Sequence, residues 1–232
     1  MTGDQSAIGT RGIPDPKASY AGSVTDSDVQ SAYSARADEY VSVLGSIEAM
    51  QEPDRQLVFR WASQLSGPIV DAGCGPGHWT DFLSKLGSDV EGVDLVPAFI
   101  DQAQARFPNV PFRVAPFEGL DLPVGRVAGI LAWYSVIHLD PGRVPVVLEE
   151  FARSLEPDGS LLLGFFDGAR LEQFPHAVTA AYFWPVEEMT RLLGNAGFVV
   201  EEIHTRVDPN RRPHAAIMAR RVAADAASTP AR

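Results

Sequence analysis

The sequence predicts an α/β fold built on a mostly parallel β-sheet with helices on both faces. Short apolar runs of strand length alternate along the chain with apolar residues at helical spacing, as in repeated strand-helix-strand units. One run, residues 127–134, is apolar throughout, which is typical of a strand covered on both faces. The length of 232 residues suits one domain with a full α/β core.

Four segments are expected. Residues 1–24 lack periodicity and predict a flexible arm, and residues 222–232 predict a disordered tail. Residues 25–66 predict a helical cap, with one helix from Thr25 or Ser27 and a second over about 54–65. Residues 67–221 form the expected core, which ends in an antiparallel strand pair over residues 198–205 and 215–219.

Composition and charge limit the classes of partner. Hydrophobic residues make up 45% and charged residues 21%, a globular balance. The formal net charge of −11 repels phosphate backbones, so no nucleic-acid partner is expected. The longest apolar tract, residues 127–139, is too short to cross a bilayer, and the polar start around Asp4 lacks the apolar core of a signal peptide. Because Cys74 is the sole cysteine, no intrachain disulfide can form. We expect a cytoplasmic protein without membrane contact. We also expect it to be a monomer or a homodimer.

One strand-to-helix turn has unusual composition. An apolar run ends in Asp71, and Gly73, Gly75 and Gly77 follow before a helix begins at about His78. Alternate glycines remove side chains from the turn, so a ligand can approach the backbone and the N–H groups of the helix start. Dinucleotide folds more usually show the spacing G-x-G-x-x-G after an apolar strand end, so this turn differs from theirs.

A second carboxylate supports a nucleoside ligand. Asp94 ends the next apolar stretch, residues 90–95, seventeen positions after Gly77. A carboxylate there can accept hydrogen bonds from both ribose hydroxyls. NAD enzymes use the same geometry, so Asp94 indicates a nucleoside without identifying it.

The motif D-x-G-x-G-x-G at a strand end resembles the cofactor loop of class I S-adenosylmethionine-dependent methyltransferases. The resemblance covers about residues 30–220 and implies a Rossmann-like seven-stranded sheet, S-adenosylmethionine as cofactor and S-adenosylhomocysteine as product. In that family the residue corresponding to Asp71 orients the methionine amino group. The cofactor-binding residues that the resemblance implies are Tyr33, Tyr40, Asp71, Gly73, Cys74, Gly75, Gly77, Asp94, Leu95, Pro116, Phe117, Ala132 and Trp133.

Some of these positions allow a second interpretation. The segment from Tyr33 to Tyr40 resembles a family helix that folds over the active site, although Ser34 replaces the usual acid, and it could equally cover a sheet edge. Pro116 offers no polar side chain, so adenine would be held by backbone groups and Phe117, whose ring could also be plain core. Cys74 could be read as a nucleophile, but cysteine is common in this family's loop.

Histidine supplies the candidates for a general base. His138 follows the fourth predicted strand near the expected methyl position and can titrate near neutral pH. A structural or cofactor-side role is the alternative. His176 is a second candidate, whereas His204 and His214 are interpreted as ordinary strand residues.

The predicted function is metal-independent, in-line methyl transfer to a small-molecule acceptor. No metal is expected, because metal-dependent relatives need a carboxylate where this chain has Ala132. The alternatives are an NAD(P)-dependent oxidoreductase and a non-catalytic protein that binds S-adenosylmethionine or a partner. Residues 167–184 show little regular pattern, and their aromatic side chains either build an acceptor pocket or cover the sheet.

Overall fold

The computed structural model describes residues 25–36, 46–176, 179–209 and 211–222. Tyr40, the predicted arm and most of the predicted tail lie outside these ranges.

The described part of the chain contains six α-helices and nine strands. The helices are α1 Asp26–Ala35, α2 Glu52–Ala62, α3 His78–Lys85, α4 Pro97–Arg106, α5 Val144–Ser154 and α6 Val186–Asn195. The strands are β1 Ile69–Ala72, β2 Val90–Asp94, β3 Phe112–Val114, β4 Val127–Trp133, β5 Leu155–Asp167, β6 Glu172–Pro175, β7 Ala180–Trp184, β8 Phe198–Arg206 and β9 His214–Arg221.

The sheet confirms the predicted fold class. Strands β1 to β5 are parallel in the order β3-β2-β1-β4-β5, and β9 then pairs antiparallel with both β5 and β8. All seven residues of β4 are buried, as its continuous apolar run predicts. One face packs on α5 and α6 through Leu148, Phe151 and Leu193, and the other packs on α2 and α3 through Trp61 and Leu83.

The sheet has nine strands in the described residues instead of the predicted seven, because residues 167–184 contain β6 and β7. Phe166 of β5 pairs with Phe183 on one edge and with His214 on the other. β9 pairs along one edge of β5, and β4 pairs along the other edge as far as Trp133. Beyond that point β7 pairs with the edge of β5 that β4 no longer covers. The β6–β7 hairpin therefore stands beyond the carboxyl end of β4.

Two strands of the sheet are irregular. β3 is three residues long, and β5 begins at Leu155, directly after α5. Residues 156–159 form the irregular start of β5, with Asp158 at φ 63° and a register shift opposite residues 127–129. Turn-favouring residues here form a bulge because the strand on either side stays paired with β4.

Candidate functional site

Two adjoining cavities lie at the carboxyl ends of β1, β2 and β4, where the strand order reverses direction. In open α/β sheets this is the usual place for a ligand. Cavity A measures about 110 Å³ and is lined on its own side by Asp94, Leu95, Val96, Phe99, Pro116, Phe117, Ser135, His138 and Leu139. Cavity B measures about 800 Å³. Both are lined by Tyr33, Gly73, Gly75, Trp133 and Tyr134, so they form one continuous cleft.

The three loop glycines differ in what a side chain at each position would meet. All have positive φ: 80° at Gly73, 51° at Gly75 and 83° at Gly77. A Cβ on Gly73 would lie 2.2 Å from the Cβ of Ser135, and one on Gly77 would lie 2.7 Å from the ring of Phe112. A Cβ on Gly75 would meet no described atom within 4 Å. Gly75 thus leaves space in the cleft, whereas the other two allow close packing.

Substituting Gly73 by Ala is expected to lower the free energy of unfolding by about 2 to 4 kcal/mol, because strain at positive φ adds to a clash with Ser135. Urea-induced unfolding measures the effect. Gly75→Ala is the matched control, since it carries the backbone strain without the clash. Adding Ser135→Gly to Gly73→Ala should recover part of the loss. Equal stability of the two single variants would contradict this explanation.

Two buried carboxylates flank the loop. Asp71 is 1% exposed and accepts a hydrogen bond from Thr80 Oγ1 at 2.7 Å. Asp94 accepts hydrogen bonds from the backbone N–H groups of Gly75 and Val96, each at 2.8 Å, and so ties the loop to β2. Burial raises the pKa of Asp71 to about 7 and that of Asp94 to about 6. Both keep acceptor capacity for a ligand, since a carboxylate has about four acceptor positions.

The sole cysteine is not activated. Cys74 is buried and lines cavity B. Burial, with Asp94 and Asp71 close by, raises the pKa of its thiol. A nucleophilic thiol needs the opposite shift, so the geometry favours a packing role.

The wall of cavity A contains the predicted adenine segment. Phe117 lines the cavity and also meets Phe151 edge-on, with 6.1 Å between ring centroids, so the ring serves both interpretations. Ser135 Oγ is buried without a hydrogen-bond partner among the described residues. At the other end of the cleft His78 Nδ1, at the start of α3, is likewise buried and unpartnered in the described chain. A ligand in the cleft could satisfy both atoms.

His138, the predicted base, has both ring nitrogens engaged. Nδ1 lies 2.8 Å from the carbonyl oxygen of Ala180, which can only accept, so Nδ1 carries the proton. Nε2 then accepts from the hydroxyl of Tyr33 at 2.7 Å. Burial also lowers the pKa of His138 to about 4. In this arrangement its lone pair is occupied, and its contacts tie α1 to the β6–β7 hairpin.

A second histidine lies in a better position. Tyr134, at φ 55° directly after β4, hydrogen-bonds to His214 Nδ1. His214 Nε2 is 3.8 Å from Asp54, which pairs with Arg206 at 2.7 Å. Burial raises the pKa of Tyr134 and lowers that of His214 to about 4. Sequence reasoning missed this pair, since its members are 80 residues apart and only the β4-β5-β9 register brings them together.

The cleft brings together most of the predicted site. The predicted residues that line it are Tyr33, Asp71, Gly73, Cys74, Gly75, Asp94, Leu95, Pro116, Phe117, Trp133 and His138. Gly77 and Ala132 line neither cavity: Gly77 packs on Phe112, and Ala132 lies inside β4. His176 lines cavity B. Cavity B also contains residues that the sequence did not single out as a site, namely Asp54, Phe166, Arg206, Arg212 and His214.

The described residues contain neither a metal-binding cluster nor a helix suited to span a membrane. No group of three or more His, Cys, Asp or Glu side chains is arranged to hold a metal ion within the described ranges. None of the described helices combines the length and apolar character needed to cross a membrane.

Comparison with known proteins identifies a domain family. A family model described as a methyltransferase domain matches residues 69–159. The chain is 29% identical over 154 residues to a probable S-adenosylmethionine-dependent methyltransferase of Mycolicibacterium smegmatis, covering 62% of this chain and 56% of that protein. It is 28% identical over 185 residues to a magnesium-protoporphyrin O-methyltransferase of Rhodobacter capsulatus, covering 72% of this chain and 81% of that protein. The chain thus spans little more than half the length of the first of these relatives.

A solved structure shares the fold. The 1,6-didemethyltoxoflavin-N1-methyltransferase of Burkholderia thailandensis, solved with 1,6-didemethyltoxoflavin and S-adenosylhomocysteine, superimposes with a TM-score of 0.69. The identity is 23%, and the match covers 92% of this chain and 93% of that one. Residues 69–159 thus match a methyltransferase domain, and the strand order, the glycine loop and the shared fold support a class I S-adenosylmethionine-dependent methyltransferase.

Proposed function

We propose that this chain is an enzyme that transfers the methyl group of S-adenosylmethionine to a small molecule without a metal ion. The observation that carries the proposal is the continuous cleft, in which a glycine loop between two buried carboxylates opens into cavity B. A volume of about 800 Å³ lies within the range of small-molecule sites and is too small for a folded partner.

The residues present fit the cofactor. Asp94 would accept hydrogen bonds from the ribose hydroxyls, and Asp71 would face the amino group of the methionyl part. Ser135 Oγ and His78 Nδ1 would gain the partners that they lack within the described chain. Gly75 would leave room for the ligand beside the loop, since a side chain there would extend into open space.

When bound, the sulfonium supplies a methyl group already activated for in-line displacement. The chain then has to position the acceptor and exclude water. Trp133 and Tyr134 lie where the two cavities meet, so they would form the passage between cofactor and acceptor. Tyr33 of α1 lines both cavities as well, and His138 holds its hydroxyl.

An acceptor that must lose a proton needs a base, and the Tyr134–His214 pair is the candidate that the geometry favours. The acceptor proton would pass to the Tyr134 oxygen while the Tyr134 proton passes to His214 Nδ1. His214 is neutral before the step, because burial holds its pKa at about 4. Asp54, 3.8 Å from Nε2, would stabilise the imidazolium that forms.

Calorimetry with two ligands tests the cofactor assignment. S-adenosylhomocysteine should bind with one site per chain, and NADH should give no heat. Binding of NADH alone would support the oxidoreductase alternative instead. Transfer of labelled methyl groups from S-adenosylmethionine to a metabolite extract then separates the enzyme from a non-catalytic binding protein, for which no labelled product would form.

Affinity for S-adenosylhomocysteine is expected to rise about tenfold from pH 5.5 to pH 8. Burial raises the pKa of Asp71 to about 7 and that of Asp94 to about 6, so both are largely neutral and poor acceptors at pH 5.5. Stability without ligand should show the opposite sign. Raised folded pKa values mean that stability is fully present below about pH 4 and is lost as the pH rises to about 7.

Calorimetry across this pH range measures the affinity. Asp71→Asn should remove the step near pH 7, since an amide does not titrate there. A pH-independent dissociation constant in the unsubstituted protein would contradict the assignment of both carboxylates to the ligand.

A further inference from the structure

We propose that cavity B takes a flat, anionic acceptor whose carboxylate is bound by Arg212 at the cavity mouth. This inference rests on the proposed function and names the chemical class of its acceptor.

Arg212 is a cation without an acidic partner in the described chain. Its guanidinium lies 4.6 Å from the ring centroid of Phe174 and 5.9 Å from that of Phe166, and Nη2 donates to the carbonyl of Pro175 at 3.3 Å. Partial burial lowers its pKa, so an anion beside it would be favourable. A guanidinium has five N–H donors in one plane, and these contacts use one, which leaves donors for a bidentate carboxylate.

Nearby arginines show the contrast. Arg206, which also lines cavity B, pairs with Asp54 at 2.7 Å and with Asp208 at 2.6 Å. Arg170, just before the β6–β7 hairpin, pairs with Glu172 at 2.9 Å. Their charges are neutralised within the chain. Unlike Arg206, Arg212 therefore keeps a charge at cavity B that can pair with an anion from solution, in a chain whose formal net charge of −11 otherwise repels one.

His176 supplies a second, independent sign of a ligand. Its Nδ1 is buried and has no hydrogen-bond partner among the described residues. Its ring lies 5.7 Å from that of Phe166 and 6.1 Å from that of Phe174. Burial lowers the pKa of His176 to about 3, so the imidazole is neutral. Depending on its tautomer, Nδ1 can donate a hydrogen bond to a polar group on the acceptor or accept one from it.

The wall between these two polar groups is aromatic. The ring centroid of Phe166 lies 4.8 Å from that of Tyr134 and 5.4 Å from that of Phe174, which it meets edge-on. Such rings favour a flat ligand that stacks or meets them edge-on. A guanidinium at the mouth, an unpartnered imidazole and an aromatic wall together match a planar molecule with a carboxylate at one end.

The test uses two isosteric probes, 2-naphthoate and 2-naphthamide, with binding followed by ligand-detected NMR titration in the presence of S-adenosylhomocysteine. The carboxylate should bind at least about tenfold more tightly than the amide, as a charge-assisted pair predicts. Arg212→Gln should reduce this preference to less than about twofold, and Arg212→Lys should keep part of it. Arg170→Gln is the matched control, since it removes an arginine that is already paired with Glu172 just before the hairpin, and it should leave the preference intact.

Equal binding of the two probes to the unsubstituted protein would overturn the proposal, as would a preference that persists in Arg212→Gln with an unchanged melting curve. If Arg212 only holds the hairpin through Pro175, both probes should weaken equally in that variant, which would also overturn it. Repeating the titration without S-adenosylhomocysteine separates this result from the cofactor assignment. Loss of cofactor binding in calorimetry rejects the proposed function, whereas loss of carboxylate preference rejects only the acceptor class.

Discussion

Asp94→Asn is expected to weaken binding of S-adenosylhomocysteine by about 10- to 100-fold. The carboxylate is buried and already holds the Gly75 and Val96 N–H groups, each at 2.8 Å. An amide keeps the size but loses the charge and two of the acceptor positions that the ribose hydroxyls would use. Hydrogen bonds to a charged group contribute about 1.5 to 3 kcal/mol, which gives the expected range. Calorimetry at pH 8 measures the change.

The matched control is Asp101→Asn, which replaces one oxygen of an exposed carboxylate on α4 by an amide nitrogen, as Asp94→Asn does in the buried one. It should bind the ligand as the unsubstituted protein does. Circular dichroism of both variants checks that the sheet is retained. If Asp94→Asn bound with unchanged affinity, the carboxylate would be serving the loop alone, and the ribose assignment would be wrong.

Tyr134→Phe is expected to lower kcat by about 100-fold or more while leaving the KM for S-adenosylmethionine unchanged. The substitution removes only the hydroxyl through which a proton would reach His214, and proton transfer of this kind contributes about 10²- to 10⁴-fold. The assay uses labelled methyl transfer to the acceptor identified in the metabolite screen. His214→Gln should show a similar loss, and the double variant should be little worse than either single one, since both act in one step.

His138→Gln provides the opposing expectation. Because His138 accepts from the Tyr33 hydroxyl at 2.7 Å and donates to Ala180, its loss should loosen α1 and raise KM more than it lowers kcat. The sequence-based assignment of His138 as base predicts the reverse. A large fall in kcat for His138→Gln, with normal kcat in Tyr134→Phe, would restore that assignment and reject the Tyr134–His214 relay.

The part of the site that the sequence predicted consists of local motifs. Asp71, the loop glycines and Asp94 all sit at strand ends on neighbouring parallel strands, so the sequence predicts that they meet. The pattern could not separate the glycines by role. Gly75 faces open space. At position 77 the ring of Phe112, from another strand, leaves no room for a side chain, and spacing alone does not reveal this contact.

The sequence did not predict the features that depend on strand register. The β6–β7 hairpin exists because β5 extends past the end of β4 and leaves an edge to which Phe183 pairs. The contact of Tyr134 with His214 likewise requires β9 to run antiparallel beside β5. The sequence around Arg212 does not indicate a role, and only its position over Phe174 does.

A crystal structure of the complex with S-adenosylhomocysteine tests whether the cleft binds the cofactor as proposed. We expect the ribose hydroxyls within hydrogen-bonding distance of Asp94, the adenine beside Phe117 and the sulfur facing Tyr134 and cavity B. Product bound anywhere else, or bound in the cleft with its sulfur turned away from cavity B, would contradict it.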